Sequence, residues 1–368
     1  MAGRIVLFGA TGYTGDLTAR ALVARGARPV LAARNRERLE ALAAELGGLE
    51  TQVADVSAPD TVRALVERGD VLLSTVGPFA RWGEPAVQAA VATGAHYVDS
   101  TGETPFIRSV FERFGPGAQA AGCGLLTAMG YDWVPGNLAG ALALRDAGAA
   151  ATRVEIGYFM TGGGGSDAMS GGTRASAAGV MLEPSFAWRG SRLVTERGAA
   201  RLRTFSVAGR DRQGVSVGSS EHFGLPRIHD GLREVDVFLG WFGPASRGMQ
   251  ALSVATAGVT RLPGAKGALE SLIGRAVKGS TGGPGAEARA KTGSVVIAEA
   301  RDAAGQVLAT ATLEGVNGYD FTAGMLAWSA ETAAGGGLLG SGALGPVDGF
   351  GLDALQRGAA EAGISRTA

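Results

Sequence analysis

Cysteine, lysine and histidine are nearly missing from this chain of 368 residues, and each shortage removes a kind of chemistry. The single cysteine, Cys123, excludes an internal disulfide and any multi-cysteine metal site, and it fits a reducing cytosol. The three histidines, His96, His222 and His229, are too scattered for a zinc site, so no metal is expected. Lysine occurs only at 266, 278 and 291, which confines any catalytic lysine to the C-terminal third. Charge of either sign is not in excess: Lys+Arg and Asp+Glu are 34 each, with no block of like charge. Neither nucleic acid nor an anionic membrane is therefore an expected partner. Long apolar runs are missing too, since the most apolar stretch, Gly124 to Leu144, is broken by Asp132, Pro135, Asn137 and several glycines. No membrane span is expected. No charged lead and apolar core precede the first strand, so the expected location is cytoplasmic.

Glycine is plentiful, 61 residues, and its placement carries the first positive signal. Gly9-Ala-Thr-Gly-Tyr-Thr-Gly15 follows the apolar run Ile5 to Phe8 and precedes a helix-like segment from Thr14 to Gly26. Closely spaced glycines at a strand end let the backbone approach a pyrophosphate, which sits on the free N–H groups of the next helix. Gly9, Thr11, Gly12, Tyr13, Thr14 and Gly15 are therefore candidate dinucleotide contacts. The second apolar run, Pro29 to Ala33, ends in Arg34, where an NAD-preferring chain carries an acid for the ribose 2′-hydroxyl. A guanidinium at that point suits a 2′-phosphate, so the expected cofactor is NADPH/NADP.

Alternation of short β-branched runs with helix-period segments continues to about Thr127, the pattern of a parallel sheet with helices on both faces. The strand candidates are Arg4 to Phe8, Pro29 to Ala33, Thr51 to Ala54, Val71 to Thr75, His96 to Asp99 and Gly124 to Thr127. Beyond the loop Ala128 to Trp133 the strands lengthen and alternate: Thr152 to Met160, Ala200 to Val207, Leu232 to Gly240, and a hairpin over Gly293 to Gly315. Helix returns at Phe321 to Ala334 and Leu352 to Ala362. At 368 residues two domains are expected. The expected fold is α/β, with a Rossmann domain over 1–130, an α+β domain with a mixed, largely antiparallel sheet over 131–320, and C-terminal helices over 321–368 packing back on the Rossmann domain. The glycine-rich stretches 162–165, 279–285 and 335–342 read as connectors.

Carboxyl ends of such strands carry the chemistry. Thr75, Val76, Gly77 and Pro78, after the fourth strand, are candidates for the nicotinamide end of the cofactor, or form a structural Gly-Pro turn. Asp55, after the third, either accepts from an adenine amino group or caps the following helix. Asp99 and Glu103, after the fifth, and Tyr131 and Asp132, after the sixth, are the candidate catalytic groups, as proton donors or substrate-orienting residues. Loop structure is the competing role for Asp132. Short-chain dehydrogenases place a lysine four residues after a catalytic tyrosine; the residues four after Tyr13, Tyr97, Tyr131, Tyr158 and Tyr319 are Leu17, Thr101, Pro135, Gly162 and Ala323, so that machinery is absent.

Taken together, Gly9 to Gly15, Val76-Gly-Pro-Phe-Ala-Arg-Trp-Gly-Glu-Pro85, His96-Tyr-Val-Asp-Ser-Thr-Gly-Glu103, Gly130-Tyr-Asp-Trp-Val-Pro135 and Ser170-Gly-Gly-Thr-Arg-Ala-Ser176 resemble the saccharopine dehydrogenase-like NAD(P) oxidoreductases. That resemblance implies a Rossmann domain with an α+β partner and a reductase acting on a polarised double bond of a small metabolite or biosynthetic intermediate. The family includes imine-reducing enzymes of amino-acid metabolism and a branch similar to trans-acting enoyl reductases. It is also compatible with a homodimer through the second-domain sheet. Where the family usually has Phe-Asp-Ser-Ile-Pro-Ser-Asp, this chain has Tyr131-Asp-Trp-Val-Pro-Gly-Asn137. Losing two serines and an acid there argues against an amino-acid substrate, and Trp133 suits a ring or acyl chain. The alternative, from another class, is a non-catalytic NADP(H) sensor or scaffold.

Overall fold

The computed structural model describes residues 3–162, 184–241, 243, 246–259 and 282–367. In chain order its strands are β1 (Ile5–Phe8), β2 (Val30–Ala33), β3 (Thr51–Val53), β4 (Val71–Ser74), β5 (His96–Asp99) and β6 (Gly124–Leu126). There follow β7 (Arg153–Gly162), β8 (Pro184–Arg189), β9 (Arg192–Arg197), β10 (Leu202–Val207), β11 (Arg210–Ser216), β12 (Glu234–Leu239), β13 (Thr292–Arg301) and β14 (Val307–Val316). Two short strands, β15 (Gly342–Ala343) and β16 (Ile364–Arg366), close the series. The chain divides into two compact units, one of Met1–Gly102, Phe106–Val134 and Gly318–Ile364, the other of Glu103–Pro105, Pro135–Asn317 and Ser365–Ala368.

In the first unit a parallel seven-stranded sheet runs β15-β6-β5-β4-β1-β2-β3. Its central strands are near-continuous apolar runs because helices cover both faces: every residue of β2 and β4 is buried. Helix α1 (Tyr13–Ala24) follows β1, and α2 (Arg36–Glu45) follows β2, opened by Asn35, whose side chain accepts from the Arg38 N–H at 2.9 Å. Leu39, Leu42 and Ala43 give α2 its buried face. The strand order reverses between β1 and β4, which opens a crevice at the carboxyl edge. At the opposite edge Asp70 accepts from the backbone N–H groups of Arg4 and Glu67 and pairs with the Arg4 guanidinium at 2.7 Å, tying the start of β1 to β4. The C-terminal helix Gly318–Ala334 lies along α1, with Arg25 paired to Glu331 at 2.6 Å, and Trp328 packs on Phe350 with ring centroids 4.8 Å apart.

Sequence-based strand boundaries hold to within one residue in this sheet, and β15 is an addition to it. Its Gly342 ends the glycine-rich stretch read as a connector and Ala343 follows it, and two residues are too few to show an alternating pattern. Thr104 opens the helix Thr104–Ser109, but its hydroxyl donates to the Gly218 carbonyl at 2.8 Å instead of capping that helix.

In the second unit nine strands form a mixed sheet of order β10-β11-β12-β7-β13-β14-β16, with β8 paired to β12 and β9. The β7–β12 pair is parallel, while β7–β13, β13–β14, β10–β11, β11–β12 and β8–β9 are antiparallel. In the expected hairpin turn, Asp302 Oδ1 accepts from the N–H groups of Ala304 and Gln306. One face of β7 carries Ile156 and Tyr158 against the helices Val134–Ala147 and Glu221–Ile228; a Cβ on Gly140 would meet Leu225 at 2.7 Å and Ile156 at 3.1 Å. Toward the other face the sheet curls, so that β10 lies over β12, β7 and β13 with Phe205 against Phe159 and Phe238. Phe159, Phe205, Val207, Phe238, Val295 and Ile297 form the apolar core there. Among the described residues no helix is long and apolar enough to cross a membrane.

Candidate functional site

Two close approaches shape the turn after β1. Gly9 has φ +93°, and a Cβ on it would stand 2.7 Å from Thr75 Oγ1. A Cβ on Gly15 would stand 2.1 Å from the Gly9 carbonyl oxygen, so only glycine lets α1 start this close to the strand. Gly12 is the N-cap of α1 and offers no side-chain cap, which leaves the first-turn N–H groups near Tyr13 and Thr14 facing the crevice end of the sheet. Thr11 is half-buried in the same turn. Thr75 braces the turn from β4: its N–H donates to the Phe8 carbonyl at 2.9 Å and its hydroxyl lies 3.2 Å from the Gly9 carbonyl. Tyr13 packs edge-on against Tyr319 of the C-terminal helix, centroids 5.3 Å apart.

At the end of β2 the Arg34 guanidinium is exposed, with no hydrogen-bond or ion-pair partner among the described residues. Asp55, after β3, turns on itself, accepting from the backbone N–H and hydroxyl of Ser57, both at 2.8 Å. Those bonds, with Arg34 nearby, hold its carboxyl below the usual range. Val76 is half-buried, and Gly77 and Pro78 are exposed beyond β4. The crevice edge thus carries Gly9 to Gly15, Arg34, Asp55 and Thr75 to Pro78 on adjacent strand ends. This arrangement fits a 2′-phosphorylated dinucleotide: a glycine cradle that a Cβ would fill, uncapped N–H groups, and an unpaired guanidinium one strand away.

The candidate catalytic groups divide by environment. Asp99 is fully buried and accepts from the N–H groups of Thr101 and Ala128 and from the Thr127 hydroxyl, each at 2.9 Å. Burial outweighs those donors and pushes its carboxyl up to about 6. Its oxygens are occupied in joining the loops after β5 and β6. Tyr131 is buried; its N–H donates to Thr322 Oγ1 at 3.0 Å and its ring stands edge-on to Phe321. Glu103 is half-buried and falls in the second unit. Asp132 differs from the rest: its Oδ1 is buried with no hydrogen-bond partner among the described residues, and desolvation pushes the carboxyl up to about 7. A Cβ on Gly102 would stand 2.9 Å from Asp132 Oδ2, so the glycine makes room for the carboxyl.

Sequence reasoning did not reach a buried polar cluster in the second unit. The Tyr158 hydroxyl accepts from the Gly136 N–H and donates to Glu221 Oε1, both at 2.7 Å, and Asn137 Nδ2 donates to Ser220 Oγ at 2.9 Å. Burial holds the neighbouring His222 down at about 4, a neutral ring at physiological pH. The signal in the sequence is Ser219-Ser-Glu-His222 opening a helix, but its partners come from strands and helices more than 60 residues away. The segment Ser170 to Ser176 lies outside the described residues. Among the described residues no group of three or more His, Cys, Asp or Glu is placed to hold a metal ion.

A parallel sheet reversing at β1 and β4, with a glycine cradle at that point, defines a dinucleotide-binding Rossmann domain. Residues 5–122 match the family model described as saccharopine dehydrogenase NADP binding domain. A trans-acting enoyl reductase of Mycobacterium leprae is 44% identical over 140 residues, covering 36% of this chain and 34% of the relative. A second, from Mycobacterium ulcerans, is 40% identical over 140 residues with the same coverage. The match spans about a third of the length of these curated relatives. Among solved structures, the apo saccharopine dehydrogenase (L-Glu forming) of Saccharomyces cerevisiae aligns over 100% of both chains with a TM-score of 0.59 at 14% identity, a likeness of fold.

Proposed function

We propose that this protein is an NADPH-dependent reductase that transfers hydride to a polarised double bond of a small metabolite or biosynthetic intermediate, with Asp132 as the proton donor. Gly9, Gly12 and Gly15 would hold the pyrophosphate on the N–H groups of α1, Arg34 the 2′-phosphate, and Val76 to Pro78 the nicotinamide end. Bound NADPH supplies the hydride. The observation that carries the reading is the half-buried Asp132, whose Oδ1 is buried without a hydrogen-bond partner among the described residues and whose carboxyl desolvation pushes up to about 7. A carboxyl in that state is substantially protonated at physiological pH and can give a proton, and because desolvation disfavours the carboxylate left behind, it is readily reprotonated for the next turnover. Asp99, with its oxygens occupied by three donors, holds the backbone instead.

An activated C=C bond is favoured over an imine on two grounds. The relatives named trans-acting enoyl reductases are 40–44% identical over the aligned 140 residues, and Trp133 replaces a family serine beside Asp132 with a large apolar group. The experiment is acceptor-dependent oxidation of NADPH, followed by absorbance, with α,β-unsaturated acyl thioesters and cyclic imines offered side by side. Faster turnover of the thioesters supports the reading. NADPH binding without turnover of any acceptor would favour a cofactor sensor.

A further inference from the structure

Asp132 lies in the loop between β6 and the helix Val134–Ala147, and distant parts of the first unit fix that loop. Its first residues are tied to β5. The Asp99 carboxylate accepts from the Ala128 N–H at 2.9 Å and the Asp99 carbonyl from the Met129 N–H at 2.7 Å, which holds Ala128 at a φ of +63°. Its last residues fold back on the first: the Trp133 N–H donates to the Ala128 carbonyl at 3.0 Å and the Val134 N–H to the Gly130 carbonyl at 3.1 Å. Its middle is tied to the C-terminal helix Gly318–Ala334. There the Tyr131 N–H donates to Oγ1 of Thr322, 191 residues further along the chain, at 3.0 Å, and the Thr322 hydroxyl donates to the Gly318 carbonyl at 2.6 Å.

Both capacities of that hydroxyl are thus in use, and its proton, committed to Gly318, leaves the oxygen to face Tyr131 as an acceptor. The two backbones meet through glycine on each side. A Cβ on Gly130 would stand 2.9 Å from Thr322 Cγ2, and a Cβ on Gly318 would stand 3.1 Å from the Tyr131 ring. Phe321 stands edge-on to that ring with centroids 6.4 Å apart. Asp132 is the next residue after the bonded Tyr131 N–H. Its Oδ1 is buried with no hydrogen-bond partner among the described residues, and its Oδ2 lies 2.9 Å from where a Cβ on Gly102 would stand. A carboxyl kept from water by packing, rather than held by donors, depends on the position of the backbone that carries it.

We propose that Thr322 is a positioning residue for Asp132, its hydroxyl fixing the Gly130 to Asp132 backbone so that the carboxyl stays shielded from water. The proposal rests on the reading of Asp132 as proton donor. The test labels the full chain isotopically at its aspartate carboxyls, assigns the Asp132 signal by its loss in Asp132→Asn, and follows it by NMR against pH. Thr322→Val keeps the shape and the methyl beside Gly130 but removes the hydroxyl, and Thr322→Ser keeps the hydroxyl. Thr332→Val removes a similar bond, to the Trp328 carbonyl at 2.8 Å, farther along the same helix. The parent is expected to titrate at about 7. Thr322→Val should hold that proton about tenfold or more weakly, because water reaches the carboxylate, while Thr322→Ser and Thr332→Val titrate like the parent. In NADPH-dependent reduction Thr322→Val should lose about ten- to 100-fold in kcat, with the KM for NADPH unchanged and kcat restored in Thr322→Ser. Full activity in Asp132→Asn, or a parent Asp132 that titrates in the ordinary carboxylate range, overturns the proton-donor reading and the proposal with it. A folded Thr322→Val that titrates like the parent, or a Thr332→Val that shifts as far, overturns the proposal alone. Should Thr322→Val fail to fold, Thr322→Ala removes the same hydroxyl with less bulk and is read the same way.

Discussion

Asp132→Asn removes a proton and a buried charge at once, and the two losses act in opposite directions on activity and stability. The ordinary aspartate value is 3.8, and burial raises Asp132 to about 7. At 1.36 kcal/mol per factor of ten, holding that carboxylate charged inside the fold costs about 4 kcal/mol relative to the unfolded chain. The sign follows from the raised value: the protonated group is fully tolerated below the unfolded value, and the penalty grows as pH rises toward about 7. Asn carries no charge at any pH, but its buried amide also lacks a partner, which takes back about 1–2 kcal/mol. At pH 8 the variant is therefore expected to be about 2 kcal/mol more stable than the parent by urea denaturation, and at pH 4 no more stable. Reductase activity is expected to fall about 10²- to 10⁴-fold, the range for a lost general acid, with NADPH affinity unchanged. The parent's kcat should fall as pH rises through about 7, and the residual activity of Asp132→Asn should lack that step. Activity within a few-fold of the parent, or a stability difference that does not depend on pH, would refute the reasoning.

Arg34→Ala should weaken NADPH binding by about 2–3 kcal/mol, or 30- to 150-fold, and leave NADH binding nearly unchanged, measured by calorimetry or fluorescence quenching. Gly9→Ala forces a side chain into a φ of +93° and against Thr75. A loss of about 2–4 kcal/mol in denaturant stability, together with loss of cofactor binding, is expected. For Asp70, burial pushes the carboxyl up, but Arg4 and two backbone donors outweigh it and hold it below its ordinary value. Asp70→Asn is accordingly expected to destabilise the protein by about 1–2 kcal/mol at pH 7. That difference should shrink as pH falls below the ordinary carboxylate value, with kcat unaffected throughout.

The first sheet was legible because its information is local. Apolar runs such as Val71 to Leu73 are buried on both faces, and Gly12 and Gly15 answer contacts with Gly9 and Ala10 within the same strand-turn-helix unit. The second sheet was harder to read. Strand β11 begins Arg-Asp-Arg-Gln because its first half is exposed or half-buried, and the β8–β9 hairpin closes on Gly190 and Ser191 without a long apolar alternation on either side. Arg153 and Glu155 on β7, and Glu299 and Arg301 on β13, have the alternation of a solvent-facing strand end. They are instead covered by β10, a strand about 50 residues from the one and 100 from the other. The candidate site divides the same way. Arg34 and the glycines declared themselves by position after a strand, whereas what separates Asp132 from Asp99 is burial without donors, set by Gly102 and by loops that meet only in the fold.

Binding of NADP across the first two strand-to-helix turns can be examined directly by a crystal structure of the protein grown with the coenzyme. The expected result is the 2′-phosphate within hydrogen-bond distance of the Arg34 guanidinium and the pyrophosphate over the N–H groups after Gly12. An empty crevice at saturating coenzyme, or a 2′-phosphate bound away from Arg34, would contradict it.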